Sequence, residues 1–183
     1  MNVVLIGLRG TGKSTSGRLL ASRLGWLFVD TDEVVQERAG KSIRELFEEG
    51  GEALFRQLES EAVRQATRHS ETVIASGGGA VLDPENVADM RRQGFVIHLS
   101  GNPKELWRRI QADLASPAQR PKLLAGTVSG PEELERLLLS RSAAYSEARD
   151  AELRVDGRTP EQVLEAMLLL LKARGLLPDG LKH

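Results

Sequence analysis

Short apolar runs alternate along the chain with longer segments in which hydrophobic residues recur every three to four positions. Five of the short runs have the length and composition of buried strands. They cover residues 3–6, 26–29, 72–75, 95–99 and 152–155. Because helical segments separate them, the pattern predicts an α/β protein with a parallel sheet between layers of helices.

Polar residues and glycines mark where the predicted helices begin and end. Four helix starts carry a capping side chain that is followed by proline or belongs to a capping box. These capping residues are Ser42, Asp83, Asn102 and Thr159. The pair Gly50-Gly51 closes the helix that begins after Ser42, so we expect a second helix over residues 52–67.

The stretch after the first strand, from Gly7 to Thr15, reads GLRGTGKST, which is the G-x-x-x-x-G-K-[ST] phosphate-loop motif. Its glycines let successive backbone N–H groups point at a polyphosphate. A helix beginning near Lys13 would direct its N-terminal dipole at the same anion. Lys13 would reach the β- and γ-phosphates, and the Ser14 hydroxyl would bind Mg²⁺. A glycine-rich turn opening an ordinary helix is the alternative, but the position between strand and helix favours a nucleotide site.

Two aspartates, Asp30 and Asp32, follow the second predicted strand. Ligands collect at the carboxyl ends of parallel strands, and acids one residue apart point to different sides of an extended chain. One could therefore hold Mg²⁺ through water while the other faces a hydroxyl group. Asp32 could instead be only the N-cap of a helix over residues 33–39. Many phosphate-loop proteins place a magnesium-associated aspartate where this chain has Ser76, so Asp30 is the nearest candidate for that duty.

Glycines 77–79 follow the third strand and imply that another group approaches the backbone closely. Arg56 falls off the apolar stripe of its helix, and taken alone it would be a solvated arginine. Arg141 and Tyr145 are four residues apart and could be either a packing pair or a substrate clamp. His98 lies inside a strand with no histidine nearby, so we expect a hydrogen-bonded core or edge histidine rather than a ligand or base.

The segment of residues 111–129 lacks a clear amphipathic period and contains glycine hinges. These features are typical of a mobile lid. Arg120 on such a lid could swing onto a transferring phosphate and stabilise its charge. The alternative is a surface loop whose arginines are incidental, and the position of Arg120 alone does not separate the two.

A chain of 183 residues suits one domain, here residues 1–175, followed by a C-terminal tail at residues 176–183. The 25 basic and 26 acidic residues nearly cancel, so no global field favours nucleic acid or an anionic membrane as a partner. The absence of cysteine excludes disulfides and thiolate chemistry and fits a reducing compartment. With no secretory signal and no apolar stretch long enough to span a bilayer, we expect a cytoplasmic protein.

Taken in order, these stretches resemble the shikimate kinases. The resemblance runs to about residue 163 and rests on the phosphate loop, the Asp-x-Asp pair, the Gly-Glu-x-x-Phe-Arg stretch at residues 51–56, the triple glycine, Arg120-Pro121 and Arg141 with Tyr145. A phosphate loop alone is unspecific, whereas this ordered set is specific. The fold it implies is a three-layer α/β sandwich with a five-stranded parallel sheet of order 2-3-1-4-5, similar to nucleoside monophosphate kinases.

The resemblance implies transfer of the ATP γ-phosphoryl group to the 3-hydroxyl of shikimate, giving shikimate 3-phosphate and ADP in aromatic amino-acid biosynthesis. Arg56 and Arg141 look like the family's clamp for the substrate carboxylate, a role that suits bidentate arginines. The backbone amides of Gly78 and Gly79 would approach the same substrate. Asp32 looks like the residue that orients the attacking hydroxyl and could accept its proton.

Further site residues follow from the same resemblance. Lys13 and Arg120 would stabilise charge on the transferring phosphoryl group, and Ser14 with Asp30 would support Mg²⁺. The adenine would lie between the helix that carries Arg109 and the loop at residues 158–160. The implied nucleotide-binding residues are Gly10, Thr11, Gly12, Lys13, Ser14, Thr15, Arg109, Arg120 and Arg158. We assign substrate-binding helices to residues 33–63, a lid to residues 111–129, and a monomeric state.

The chain departs from the family pattern in two places. Residues 142–144 read Ser-Ala-Ala where the family usually has a proline after its clamp arginine, so we expect a straighter clamp helix. The lid is longer before Arg120 than in many members, and lysine follows Pro121 where leucine is common. Two other functions stay open. The chain could be a gluconate or nucleotide kinase of the same fold, or a catalytically silent ATP-binding switch.

Overall fold

A computed structural model describes residues 1–113 and 130–177. At its centre lies a parallel sheet in the order β2-β3-β1-β4-β5, with helices on both sides. The strands are β1 (Asn2–Ile6), β2 (Leu27–Asp30), β3 (Thr72–Ala75), β4 (Gly94–Ser100) and β5 (Ala151–Arg154). The predicted fold and strand order are confirmed.

The helices begin and end close to the predicted positions. They are α1 (Lys13–Leu24), α2 (Thr31–Ala39), α3 (Ile43–Ala66), α4 (Pro84–Gln93), α5 (Pro103–Ala112), α6 (Pro131–Ala148) and α7 (Pro160–Ala173), with a 3₁₀ turn at Ala80–Leu82. Each of the four capping side chains accepts a hydrogen bond from a backbone N–H two or three residues further on. Local chemistry therefore sets these boundaries.

Helix α3 consists of two helical segments on either side of a kink at Gly51, as the sequence predicts. Gly51 has φ 65° and ψ −165°, a conformation that residues with a side chain rarely adopt. The residues on both sides of Gly51 are helical but Gly51 itself is not, so the glycine separates the two segments at the kink. Arg56 and its neighbours therefore lie on the second part of α3, beyond the kink.

Buried residues form two separate apolar clusters. Every residue of β1 is buried, and this strand lies in the larger cluster between the sheet and its helices. The smaller cluster joins α2 to α3 and contains Val35, Ile43, Leu46, Phe55 and Ala62. The helices predicted to bind substrate thus have a core of their own.

Neighbouring strands bring the sequence motifs to one edge of the sheet. The phosphate loop follows β1, Asp30 ends β2, and Ser76 follows β3, and these three strands are adjacent. The carboxyl ends of parallel strands meet at the same edge, where ligands bind in open α/β sheets. The predicted functional residues therefore share one side of the molecule.

Part of the predicted organisation lies outside the described residues. Residues 114–129 include Arg120 and most of the segment expected to form a lid, and residues 178–183 make up most of the expected tail. Within residues 1–113 and 130–177, no helix combines the length and the apolarity that crossing a bilayer requires.

Candidate active site

The phosphate loop adopts a conformation that depends on its glycines. Gly7, Gly10 and Gly12 have φ values of 142°, 85° and 83°, and Gly12 is the N-cap of α1. A side-chain carbon on Gly10 would lie 2.7 Å from the backbone oxygen of Leu106. The Lys13 ammonium donates hydrogen bonds to the carbonyl oxygens of Gly7 (2.9 Å) and Leu8 (3.0 Å), so it is folded back over the loop.

The aspartate that ends β2 connects the phosphate loop to α2. The Ser14 hydroxyl donates a 2.5 Å hydrogen bond to Asp30 Oδ2, while Asp30 Oδ1 accepts the backbone N–H of Asp32 at 3.0 Å. Asp30, rather than Asp32, is thus the N-cap of α2, which excludes the alternative of Asp32 as a cap. Asp32 lies in the first turn of α2 and is buried.

Gly77 lies where two carboxylates approach the backbone. Its N–H donates to the Thr31 hydroxyl at 3.0 Å. A side-chain carbon on Gly77 would lie 2.8 Å from Asp32 Oδ1 and closer still to Glu59 Oε1. The close approach inferred from the triple glycine is therefore an approach of acidic side chains from α2 and α3.

Arg56 lies over the last of the three glycines. Its guanidinium would collide with any side chain at residue 79, since a carbon there would lie 2.5 Å from Nη2. Nη1 donates to Glu59 Oε2 at 2.5 Å, and Nε and Nη2 donate to Glu52 Oε1 at 3.2 and 3.0 Å. The side chain is 28% exposed, so Arg56 is partly buried rather than the solvated arginine that its position alone would indicate. Two glutamates on its own helix fix its direction.

Sequence reasoning missed Glu59, whose side chain is only 1% exposed. Burial raises the pKa of its carboxyl, and the charge of Asp32 adds to this effect, while Arg56 opposes it. The signal was present in the sequence. Glu59 follows Phe55 by four residues and precedes Ala62 by three, so an acid occupies the buried stripe of α3.

Arg141 and Tyr145 both donate to the carbonyl oxygen of Gly78, at 2.9 and 2.6 Å. Both residues are buried, and α6 runs without a break through them. Burial raises the pKa of Tyr145 to about 12, so the phenol remains a hydrogen-bond donor. The pair therefore fixes α6 to the loop of glycines 77–79.

His98 stacks on Tyr145, with ring centroids 4.5 Å apart and planes inclined by 13°. Neither ring nitrogen has a hydrogen-bond partner among the described residues, so the expectation of a hydrogen-bonded histidine is wrong. Burial lowers its pKa to about 4, and the positive charges of Arg149 and Lys13 act in the same direction. His98 is therefore a neutral ring beneath the site.

A cavity of about 670 Å³ joins the phosphate loop to the opposite wall formed by α5 and the loop before α7. All the predicted nucleotide residues within the described ranges, namely Gly10, Thr11, Gly12, Lys13, Ser14, Thr15, Arg109 and Arg158, line it. Asp30, Asp32 and Pro160 do so as well, as does Glu105, which the sequence analysis did not select. The predicted phosphate and adenine ends thus share one cavity.

The donor set near the phosphate loop fits Mg²⁺. Within the part of the chain that the structure describes, no group of three or more acidic, histidine or cysteine side chains could hold a metal ion alone. A hydroxyl and a carboxylate, Ser14 and Asp30, instead lie together at the phosphate end. Magnesium is commonly held in this way, with one or two protein oxygens and the rest from phosphate and water.

The phosphate loop follows the central strand of a sheet with this strand order, and Arg56 and Arg141 lie beside it. Together these features define a P-loop kinase that phosphorylates a small molecule. The chain belongs to the shikimate kinase family, whose sequence model, described as "Shikimate kinase", matches residues 9–172. A shikimate kinase of Geobacter sulfurreducens is 44% identical over 165 residues, covering 89% of this chain and 86% of the relative. A shikimate kinase of Symbiobacterium thermophilum is 41% identical over 178 residues, covering 96% of this chain and 98% of the relative.

A solved structure gives the same result. The shikimate kinase from Acinetobacter baumannii in complex with shikimate superimposes with a TM-score of 0.87 at 29% sequence identity. The match covers 96% of this chain and 95% of that chain. The resemblance inferred from ordered motifs is thereby confirmed for both the family and the fold.

Proposed function

We propose that this protein transfers the γ-phosphoryl group of ATP to the 3-hydroxyl of shikimate, forming shikimate 3-phosphate and ADP for aromatic amino-acid biosynthesis. One observation carries the proposal beyond family membership. Asp32, Arg56 and Arg141 come from three different helices and converge on glycines 77–79, beside the phosphate loop. This arrangement offers cations for a carboxylate and an acid for a hydroxyl group next to a phosphate site.

Arg56 and Arg141 bind the substrate carboxylate in this proposal. Guanidinium groups match carboxylates with two parallel hydrogen bonds, and both of these are partly or fully removed from water. Arg56 keeps Glu59 as a partner and Arg141 keeps the Gly78 carbonyl, so neither has to be reoriented from solvent. The backbone amides of Gly78 and Gly79 complete the substrate side.

Asp32 orients the 3-hydroxyl for attack in line with the γ-phosphorus. The hydroxyl oxygen forms a bond to phosphorus as the bond from phosphorus to the β,γ-bridging oxygen breaks, and Asp32 can accept the released proton. Lys13 and Arg120 stabilise charge on the transferring group. Ser14 and Asp30 hold Mg²⁺, which neutralises phosphate charge when it is bound with ATP. Arg109 and Arg158 hold the nucleoside.

The remaining proposals concern organisation. We infer that residues 1–175 act as one kinase domain, with substrate-binding helices over residues 33–63 and a lid over residues 111–129. A monomeric, cytoplasmic enzyme that uses only small molecules as partners is consistent with a formal charge of −1 and the absence of cysteine. Sedimentation equilibrium of the purified chain would test the monomeric state.

A coupled ADP-release assay tests the proposed reaction. Mg²⁺-ATP is supplied with shikimate, quinate, gluconate or the common nucleoside monophosphates, and saturable turnover is expected with shikimate alone. Turnover on gluconate or a nucleotide would overturn the roles given to Arg56 and Arg141. Binding of ATP without turnover on any substrate would indicate the silent switch instead.

A further inference from the structure

A carboxylate at the nucleoside end of the cavity joins the two elements that face each other there. Glu105 lies in the first turn of α5 and lines the cavity. Its Oε1 accepts hydrogen bonds from Arg109 Nη2 at 2.6 Å and from the backbone N–H of Gly157 at 3.0 Å. One side chain therefore contacts both the arginine on α5 and the loop that precedes α7.

The arginine held by Glu105 is fixed on several sides. Arg109 Nη2 also donates to the carbonyl oxygens of Val155 (2.8 Å) and Arg158 (3.2 Å). Among the described residues, the guanidinium without Glu105 would keep only these neutral acceptors and would lose its charge-assisted hydrogen bond, the stronger kind. If a nucleobase packs on the Arg109 guanidinium, the position of that guanidinium depends on Glu105.

The loop on the other side also depends on this carboxylate. Gly157 has φ 66°, and the turn around it is closed by a hydrogen bond from the Arg158 N–H to the Val155 carbonyl at 3.2 Å. The Gly157 N–H points out of the turn and finds its acceptor in Glu105. Because Arg158 and Pro160 follow directly, the position of this turn sets the far wall of the cavity.

We infer that Glu105 is a positioning residue that fixes the width of the nucleobase end of the nucleotide site, by tying Arg109 and the Gly157 turn to one carboxylate. The inference rests on the proposed use of ATP. A simpler role would be an ordinary i, i+4 ion pair on α5, which supports a helix only weakly. An ordinary pair would not involve the N–H of Gly157, and the two roles differ in what they do to ligand binding.

The experiment separates the base end of the site from the phosphate end. Isothermal titration calorimetry measures binding of MgADP, and of Mg²⁺-tripolyphosphate, which has no base, to the wild type, Glu105→Ala and Glu105→Gln. Loss of the anchor should weaken MgADP binding to Glu105→Ala about tenfold and leave tripolyphosphate within about twofold. Glu105→Gln keeps one acceptor oxygen and the side-chain volume, so an intermediate loss is expected.

Glu165→Gln is the matched control, because Glu165 is an exposed glutamate of α7 that also pairs with an arginine, Arg23 of α1. It should bind both ligands as the wild type does. In steady-state kinetics, Glu105→Ala should raise the KM for ATP about tenfold with kcat and the KM for shikimate nearly unchanged.

Two results would overturn the inference. One is unchanged MgADP affinity in Glu105→Ala, and the other is equal weakening of MgADP and tripolyphosphate in the isosteric Glu105→Gln, which would indicate a general structural effect. Failure of the proposed function would look different. The wild type would then bind MgADP but release no ADP when shikimate is added, and the calorimetric comparison would still decide the role of Glu105.

Discussion

At the scale of single residues, the site is a balance of buried charge. Asp32 and Glu59 approach the same glycine from two helices, and burial together with the charge of Asp32 raises the pKa of Glu59. Arg56 contacts Glu59 directly, and Arg141 also lowers the pKa of Glu59 through its charge. The cations that would bind a substrate carboxylate therefore also stabilise the acids beside it.

Asp32 gives the most direct test of the chemistry. Asp32→Asn keeps the shape of the side chain but removes the proton acceptor, so kcat should fall by about 10²–10⁴. Binding of MgADP, measured by calorimetry, should persist because the phosphate loop is unchanged. Glu33→Gln, an exposed acid in the same helical turn, is the control and should keep wild-type kcat. Unchanged turnover in Asp32→Asn would remove Asp32 from the reaction.

Arg56 should affect substrate binding more than turnover. Arg56→Ala removes one of the two arginines proposed to bind the substrate carboxylate and takes the direct arginine partner from the buried Glu59, so the KM for shikimate should rise at least about tenfold. The KM for ATP should change little. Arg64→Ala, an exposed arginine on the same helix, serves as the control. A shikimate KM equal to that of the wild type would refute the clamp.

His98 should make stability depend on pH. Its folded pKa of about 4 lies below the ordinary value of 6.5, so between these values the unfolded chain binds a proton that the folded chain does not. The free energy of unfolding should therefore fall as the pH is lowered from 7 to 4, by up to about 3 kcal/mol from this group.

His98→Phe preserves the ring that stacks on Tyr145 and removes the titration. Urea unfolding at several pH values should show the variant losing less stability than the wild type across that interval. Parallel curves for the two proteins would show that His98 does not titrate differently on folding.

At the scale of elements, three short connections bring the helices to the sheet edge. The phosphate loop orients α1, Asp30 caps α2, and glycines 77–79 receive side chains from α2, α3 and α6. The glycine loop is the common surface of the substrate side. Its lack of side chains is therefore a requirement of the neighbouring helices rather than of its own backbone torsions.

Gly79→Ala tests this point. The added methyl group would meet the flexible end of Arg56 rather than backbone, so the fold should survive with a loss of about 1 kcal/mol or less. The displaced guanidinium should raise the KM for shikimate about tenfold. In the control Gly40→Ala the methyl group meets no atom within 4 Å; its φ of 62° means that the change should cost stability, but KM should not change. A Gly79→Ala enzyme with wild-type KM would show that Arg56 does not need its position over the loop.

At the scale of the whole molecule, the site rests on two apolar cores. The phosphate loop and glycine loop are built on the main apolar cluster around β1, whereas the kinked α3 and α2 share the smaller cluster. Over residues 1–113 and 130–177 no cluster of acidic, histidine or cysteine side chains could hold a metal ion alone, and we expect Mg²⁺ to come with the nucleotide to Ser14 and Asp30. Folding and metal binding should therefore be separable.

Chelation tests this separation. Excess EDTA should leave the Tm of the ligand-free protein within about 1 °C of its value in Mg²⁺, because we expect the metal to bind with the nucleotide rather than to the ligand-free fold. Turnover should cease, and the rise in Tm caused by ADP should shrink. Differential scanning fluorimetry with and without Mg²⁺ measures both effects. A large drop in the Tm of the ligand-free protein would indicate a structural metal site.

Much of this architecture could be predicted because its signals are local. The strands, the capped helix starts and the phosphate loop each follow from a few consecutive residues, and the order of motifs identified the family. The environment of His98 was predicted wrongly because it depends on residues distant in sequence, whereas Glu59 and the Asp30 cap of α2 were missed although their signals are local. The roles of the site residues remain predictions that the variants above would test.

The sequence by itself determined the alternation of strands and helices, the phosphate loop and the set of polar residues available for chemistry. Periodicity, capping and glycine content express preferences of the local backbone, so they can be inferred without the fold. Only the tertiary structure decided which of those residues meet. The parallel sheet brings together the loops that follow β1, β2 and β3. The contacts that Arg56, Arg141 and Glu105 make with residues far away in sequence depend on the tertiary packing. Burial and charge pairing arise from these contacts, which no stretch of sequence contains alone.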